Sequence, residues 1–218
     1  MEFAALLPKE IPRELVRLQN INHKINIISG SSCIPTYRPS RDIFKQEIRN
    51  EINSEEISRR VYREEEDTNT VDIFTQPKQD RREKARFLLD CRPRNAVRIW
   101  NHTPLPNMEE AIEFVAARPL WSKIDLPDRY HNILIDPDSE KDGTFLCHMG
   151  HYRRRVMQQE ACNAPATIVR AMNEIFRDMI NKDLIIYIYD IIISGRNYKQ
   201  HVDALRKVLR RLQDQQFW

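Results

Sequence analysis

The stretch Leu184-Ile-Ile-Tyr-Ile-Tyr-Asp190-Ile-Ile-Ile-Ser194 joins two runs of β-branched and aromatic residues through a short polar centre. Such runs are typical of buried strands, and Tyr189-Asp190 between them predicts a tight turn. We therefore predict a hairpin with strands at 184–188 and 191–194. This is also the longest apolar stretch of the sequence, and Asp190 interrupts it well before the ~18 residues that would suggest a membrane span.

The elements on either side of this hairpin alternate between strand and helix. Asn163-Ala-Pro165 predicts a helix start, because proline is tolerated in the first turn, and apolar residues then recur at helical spacing at Ile168, Met172, Ile175, Phe176 and Met179. Further helices are predicted at 107–117 and 198–215, and further strands at 121–126, 131–136 and 144–149. This order predicts an α/β or α+β sandwich, with one sheet covered by helices.

The first half of the chain is more strongly charged. Residues 41–66 contain an amphipathic pattern that predicts a helix, carried by Ile43, Phe44, Ile48, Ile52 and Ile57. Two short strands are predicted at 71–75 and 85–90, around a basic turn at 78–84. Residues 78–98 hold eight basic and three acidic side chains, and a second basic cluster is Arg153-Arg154-Arg155. Such clusters attract phosphate backbones, but on charge alone a solvated hairpin and turn is the favoured interpretation.

The composition excludes several classes of protein. The 218 residues carry a net charge of +3 and include only four glycines, whereas average usage of ~7% predicts about fifteen. No two glycines lie close enough for a phosphate-binding loop, which excludes P-loop and Rossmann sites. The N-terminus has no secretory signal pattern, and the cysteines form no C-x-x-C pair. A zinc site remains an unfavoured alternative because the spacing of its ligands fits no compact knuckle; they would be Cys147, His148, His151 and Cys162.

Two carboxylates occupy positions where chemistry is expected. Asp125 ends one predicted strand, and Asp190 lies at the hairpin tip. If these strands are neighbours, both carboxylates reach the same sheet edge. Metal-dependent phosphoryl transfer uses that arrangement, with two divalent ions about 3.5–4 Å apart. Because aspartate is also a common turn residue, the pair is a weak signal by itself.

Five ordered blocks strengthen that signal, because together they resemble the reverse transcriptases of gypsy-type long-terminal-repeat retrotransposons. The blocks are Trp121-Ser-Lys-Ile-Asp125-Leu-Pro-Asp-Arg-Tyr130, Gly150-His-Tyr-Arg-Arg-Arg-Val156-Met157, Asn163-Ala-Pro165-Ala-Thr, Tyr187-Ile-Tyr-Asp190 and His201-Val-Asp-Ala-Leu205. Upstream, the similarity to the fingers includes Lys78, Arg86, Asp90-Cys-Arg92 and Asn95, and Pro104-Leu-Pro106 resembles the entry into the palm. The resemblance extends from about residue 21 to the end of the chain.

The resemblance implies a fold and its boundaries. It implies an α+β polymerase palm, an antiparallel sheet with helices packed on one face, joined to a fingers subdomain. The expected divisions are an N-terminal extension and palm entry at 1–40, a fingers-like segment at 41–103 and the palm at 104–218. Because one helix alone follows the hairpin, we also expect the fold to be truncated before the thumb.

The resemblance also implies roles for individual residues. Asp125 and Asp190 would be the catalytic carboxylates and would hold Mg²⁺ or Mn²⁺. Tyr130 would be the aromatic gate that excludes a ribose 2′-OH, and Gln159 would lie in the nucleotide pocket. The basic fingers residues Lys78 and Arg86 would neutralise the triphosphate of the incoming deoxynucleotide.

Several residues depart from the family pattern. Tyr189 occupies the position of the first hairpin aspartate, which would bridge both metal ions, and a phenol with pKa ≈ 10 replaces a carboxylate poorly at neutral pH. Arg129 and Glu160 stand where the family usually has glycine. Asp128 is a poor substitute ligand, because three residues along a turn it should point elsewhere. The sequence thus predicts an impaired metal site.

Two functions from different classes follow. The first is RNA-directed DNA polymerisation by metal-dependent nucleotidyl transfer, impaired by Tyr189 and by the missing thumb, with a primer–template and deoxynucleotides as partners. The alternative is a non-catalytic nucleic-acid-binding remnant or a domesticated retroelement protein. The resemblance implies an intracellular protein, and no membrane segment is predicted.

Overall fold

The computed structural model describes residues 21–33, 42–64, 69–76, 86–104, 107–126 and 129–217. Five helices and eight strands are assigned within these ranges, together with a 3₁₀ segment at Pro137–Gly143. In chain order they are α1 (Asp42–Ile57), β1 (Val61–Arg63), β2 (Val71–Gln76), β3 (Arg86–Leu89), α2 (Arg92–Ala96), α3 (Met108–Ala116), β4 (Leu120–Asp125), β5 (Thr144–Cys147), β6 (Gly150–Arg154), α4 (Ala164–Ile175), β7 (Leu184–Tyr187), β8 (Asp190–Gly195) and α5 (Tyr198–Asp214).

A three-stranded antiparallel sheet carries the predicted hairpin. Its strand order is β4-β8-β7. Successive side chains of a strand point to opposite faces, and β8 follows this rule at its start, since Ile191 and Ile193 are completely buried while Asp190 and Ile192 are only half-buried. The sheet therefore has one face in the core and one face that is partly open at the end where Asp190 lies.

Helices α4 and α5 pack against the buried face of this sheet. The apolar stripe predicted for α4 is confirmed, because Ile168, Met172, Phe176 and Met179 are almost fully buried, although the last two follow the end of the helix. Asn163 precedes α4, but its side chain does not cap the helix. Instead its amide donates to the carbonyl of Ile99 and accepts from the backbone of Asn101.

A five-stranded sheet forms a second core. Its order is β1-β6-β5-β2-β3, with β2 and β5 parallel and the other pairs antiparallel. Its buried residues include Ile48 and Ile52 of α1, Val71 of β2 and Phe145 of β5. The chain thus returns to the sheet of the 41–103 segment after residue 104, so the expected division at 103/104 divides the sequence but not the sheet.

A buried arginine connects the parts of this second unit. Arg94, on the short helix α2, is only 1% exposed. Its guanidinium donates to the side-chain oxygen of Gln158 at 3.0 Å, to the carbonyl of Asn69 at 2.8 Å and to the carbonyl of Thr144. These acceptors lie before β2, at the start of β5 and after β6. Arg94 therefore joins segments that are far apart in the sequence.

Several predicted elements differ in the structure. Residues 131–136 form isolated bridges rather than a regular strand, since Leu134 pairs with Val156 and Ile135 with His23. Ile57 is 87% exposed, although the helical pattern placed it with the buried side chains. β6 was not predicted, because its arginines resemble a loop composition. The basic turn at 78–84 lies outside the described residues.

No helix in the described part of the chain is both long enough and apolar enough to span a bilayer.

Candidate active site

The structure places the two candidate carboxylates directly opposite each other. Asp125 is the last residue of β4, Asp190 is the first of β8, and the two are partners in the antiparallel register. Directly opposed side chains of an antiparallel pair have Cβ atoms about 4.5–5.5 Å apart and share a face. The two side chains are 66% and 29% exposed, respectively. The sheet therefore presents two neighbouring carboxylates at one edge, although their catalytic role stays a prediction.

Each of these carboxylates already has a cationic partner. The guanidinium of Arg129 donates to Oδ1 of Asp125 at 2.6 Å, and the ammonium of Lys123 lies 2.8 Å from Oδ2 of Asp190. Lys123 is two residues before Asp125 on β4 and shares its face of the sheet. Neither pair was predicted from the sequence, although the alternation along β4 could have indicated that Lys123 shares the face of Asp125.

The hairpin turn differs by one residue from the prediction. Tyr187 pairs with Asp190, so the two turn residues are Ile188 and Tyr189, and Asp190 belongs to the returning strand. Ile188 has φ 53°. A β-branched residue rarely adopts this left-handed conformation, and strain of this kind concentrates at functional sites.

Tyr189, at the position of the missing aspartate, packs into the site. Its ring lies edge-on to the ring of Tyr130, with centroids 5.8 Å apart and an interplanar angle of 61°. The guanidinium of Arg129 lies 4.5 Å from the Tyr189 ring centroid, within the ~6 Å of a cation–π contact. The substitution therefore brings an aromatic ring, held by two neighbours, next to the carboxylate pair.

Tyr130, the expected gate, is only 9% exposed. Burial raises the pKa of its phenol, and a hydrogen bond with Tyr189 raises this pKa further. Tyr130 thus stays neutral at physiological pH, with its hydroxyl bonded to Tyr189. Its predicted role against a ribose 2′-OH stays a prediction.

The residues present do not fit the metal pair that the family resemblance implies. Asp125 and Asp190 supply carboxylate oxygens, but in the described ranges no group of three His, Cys, Asp or Glu side chains could hold a metal ion. Arg129 donates to Oδ1 of Asp125 and so occupies one of the oxygens that a metal ion would need. The zinc alternative is also wrong. Its four expected ligands all lie within the described residues, and no three of them are placed to hold a metal ion; they are Cys147, His148, His151 and Cys162. Asp128 lies outside them.

The remaining predicted site residues are less well defined. Lys78 lies outside the described residues, and for Arg86 the structure describes only the backbone, as the first residue of β3 opposite Gln76. Gln159 is exposed on a turn, whereas its neighbour Gln158 is buried. The Gln158 side chain accepts from Arg94 and donates to the carbonyl of Gly143, so it holds the fold together.

The turn that carries Gln159 is tied to α2. The amide of Asn95 donates to the carbonyl of Glu160 at 2.9 Å and accepts from the backbone of Cys162 at 3.1 Å. Burial raises the pKa of Glu160. The Glu160 carboxyl is therefore partly shielded from solvent, and its protonated form is favoured relative to that of a free glutamate.

The second basic cluster has a structural role. Arg153 pairs with Glu64 and Arg154 with Glu55, each at 2.6 Å, and Arg155 pairs with Glu140 at 3.1 Å. The side chains of the three arginines are between 12% and 31% exposed. The three arginines therefore neutralise acidic residues of the same chain, which favours the structural interpretation of this cluster.

Comparisons with known proteins identify the family. Residues 76–217 match the model of "Reverse transcriptase (RNA-dependent DNA polymerase)". The chain belongs to this family.

Sequence relatives include viral and transposon polyproteins. The chain is 28% identical over 92% of its length to the "Retrovirus-related Pol polyprotein from transposon 297" of Drosophila melanogaster. It is 26% identical over 78% of its length to the "Transposon Tf2-3 polyprotein" of Schizosaccharomyces pombe. It covers 19% of the first polyprotein and 12% of the second, so it spans a small part of each.

Solved structures agree in fold. The foamy viral protease–reverse transcriptase in complex with RNA/DNA hybrid superposes with a TM-score of 0.81 at 17% identity, over 98% of this chain and 28% of that chain. A second structure, of the same viral protein in complex with double-stranded DNA, gives 0.78 at 18% identity, over 93% and 35% of the two chains. The fold is therefore that of a polymerase palm and fingers, as predicted.

Proposed function

We propose that this chain is the fingers-and-palm part of a gypsy-type retrotransposon reverse transcriptase whose nucleotidyl transfer is severely impaired. The observation that carries the proposal is the place of Tyr189, which packs on Tyr130 and under Arg129 beside the paired Asp125 and Asp190. The transposon relatives support the gypsy-type assignment. The backbone of an active site is thus retained, while its chemistry is altered.

The intact reaction would join a deoxynucleotide to the 3′-OH of a primer, with loss of pyrophosphate. Reverse transcriptases in general use divalent metal ions, which stabilise the attacking and leaving oxygens. In this chain Asp125 and Asp190 are the only predicted metal ligands, and both are engaged by cations of the same chain. In the described residues the donor set for a metal pair is therefore incomplete.

The proposed organisation follows the sequence. Residues 1–40 form an extension and palm entry, 41–103 the fingers and 104–218 the palm, with β5 and β6 contributed to the fingers sheet. Lys78 and Arg86 act on the phosphates of the nucleotide, Tyr130 is the sugar gate and Gln159 contacts the nucleotide. The chain binds a primer–template inside the cell. The viral relatives in complex with RNA/DNA hybrid and DNA support this kind of partner.

A second candidate function is nucleic-acid binding without catalysis, as a retroelement remnant or a domesticated protein. The arrangement around Asp125 favours this function, because the Arg129 guanidinium binds Asp125 and the Tyr189 ring packs on that guanidinium. The basic excess of residues 78–98, apart from the buried Arg94 and Arg98, would be retained for binding phosphate backbones.

Primer extension and binding, measured together, test both functions. The purified chain is given a primed homopolymer template, deoxynucleotides and Mg²⁺ or Mn²⁺, with Asp125→Asn as the background control. We expect no extension above that control. Binding of the primer–template, measured by fluorescence anisotropy, should weaken steeply as salt is raised. Extension that depends on Asp125 would contradict the proposed impairment, and absence of binding at low salt would contradict the non-catalytic alternative.

A further inference from the structure

The side chain of Arg129 connects the candidate carboxylate to the substituted hairpin residue. One guanidinium nitrogen donates to Oδ1 of Asp125 at 2.6 Å and to the carbonyl of Leu126 at 3.2 Å. The guanidinium carbon lies 4.5 Å from the ring centroid of Tyr189 and 6.0 Å from that of Tyr130. Two acceptors and two rings thus fix this cation at one place.

The planar shape of the guanidinium explains why one residue can make all these contacts. Its N–H groups donate in the plane, while its face stacks on an aromatic ring. Arg129 is also less exposed than the other cation of the site, with 24% of its side chain accessible against 51% for Lys123. The carboxylates are exposed in the opposite order, 66% for Asp125 against 29% for Asp190, so each pair has one partner open to solvent and salt.

Among the residues that the structure describes, the charges of the site balance without a metal ion. Asp125 and Asp190 carry two negative charges, and Arg129 and Lys123 carry two positive charges within 2.8 Å of them. A divalent cation bound at Asp125 would have to displace the guanidinium or approach it closely. Like charges at contact distance repel each other, which disfavours a divalent ion at Asp125 while the guanidinium is in place.

We propose that Arg129 is an internal counter-cation that holds Tyr189 beside the carboxylate pair and excludes a divalent ion from it. This inference rests on the proposed origin of the site as a polymerase centre. It adds that the two departures from the family pattern, Tyr189 in place of aspartate and Arg129 in place of glycine, act together on metal binding. A carboxylate restored at position 189 is then captured by Arg129, so metal binding returns in full only when the guanidinium is also removed.

Binding of Mn²⁺ alone, counted by electron paramagnetic resonance of the free ion, tests this coupling. The full chain is compared with Tyr189→Asp, Arg129→Ala and the double variant, each verified as folded by circular dichroism. The unaltered chain should show no saturable binding, and Arg129→Ala, which still carries Tyr189 instead of a carboxylate, should bind more weakly than the double variant. The double variant should bind at least about tenfold more tightly than Tyr189→Asp, which equals about 1.4 kcal/mol. Asp125→Asn should abolish this gain.

Arg177→Ala in the Tyr189→Asp background is the matched control. Arg177 is 77% exposed and pairs with Glu174 of α4. Its removal changes the net charge by the same amount as removal of Arg129, but away from the site. It should leave Mn²⁺ binding unchanged. Equal binding by Tyr189→Asp and the double variant, an equal gain from Arg177→Ala, or saturable binding by the unaltered chain would each overturn the proposal.

A second pair of variants covers a failure of Tyr189→Asp to fold. Tyr189→Ala removes the ring without adding charge, and Tyr189→Ala with Arg129→Ala should again bind Mn²⁺ more tightly than Tyr189→Ala alone. The readout needs neither nucleotide nor nucleic acid. The Mn²⁺ measurement can therefore contradict this proposal without contradicting the proposed function, which is tested separately by primer extension and primer–template binding.

Discussion

Replacing Arg94 with alanine should destabilise the protein more than any change on the exposed surface of α2. The side chain is 1% exposed and donates three hydrogen bonds, to Gln158, Asn69 and Thr144. A hydrogen bond from a charged donor contributes about 1.5–3 kcal/mol. Relief of the cost of burying the charge offsets part of that loss. We expect a net loss of about 3–5 kcal/mol of unfolding free energy.

Urea denaturation followed by circular dichroism measures this loss. With a slope of about 2 kcal/mol per molar urea, a loss of about 4 kcal/mol lowers the unfolding midpoint by about 2 M. Arg94→Lys should behave almost as badly as Arg94→Ala, because a lysine ammonium cannot reproduce the fork of the guanidinium.

Arg92 on the same helix is the matched control. Its side chain is 78% exposed and pairs with Asp90 at 2.6 Å, so Arg92→Ala should leave the midpoint unchanged within error. Equal midpoints for Arg94→Ala and Arg92→Ala would refute the reasoning, because they would mean that the buried hydrogen bonds contribute nothing beyond a surface pair.

Two further predictions concern the joints between elements. Burial and the neighbouring Arg98 lower the pKa of His23 to about 3. Between pH 6.5 and 3 only the unfolded state therefore binds the proton, so stability falls with falling pH, by up to about 1.4 kcal/mol per pH unit. His23→Gln should weaken the pH dependence of the urea unfolding midpoint between pH 7 and 4.5, whereas His102→Gln should leave that dependence unchanged. Gly195→Ala would place a Cβ 2.7 Å from the backbone nitrogen of His201, which should cost about 1–3 kcal/mol, and an unchanged melting temperature would contradict that contact.

The sequence predicted the elements whose residues interact with near neighbours in the chain. The stripe of α4, the start of α5 and the β-branched runs of β7 and β8 follow local periodicity, which depends on each element's own geometry. The pairing of Asp125 with Asp190 also followed, since two strands that end in carboxylates share an edge once they are neighbours.

Local patterns failed where a segment is held by distant partners. Residues 131–136 look like a strand but pair through isolated bridges, and the arginines of β6 look like a loop but are neutralised by distant glutamates.

The sequence alone determined the identities at the site: two aspartates, a tyrosine in place of a third, and arginine at position 129. Tertiary structure decided what these residues do to one another. Whether Tyr189 would face solvent or Tyr130, and whether Arg129 would extend into water or bind Asp125, depends on how a turn after β4 packs against a hairpin about sixty residues later in the chain. Side-chain contacts of this kind have no period along the chain, because they depend on distances across the folded molecule. Only the packed site therefore shows that its charges balance from within.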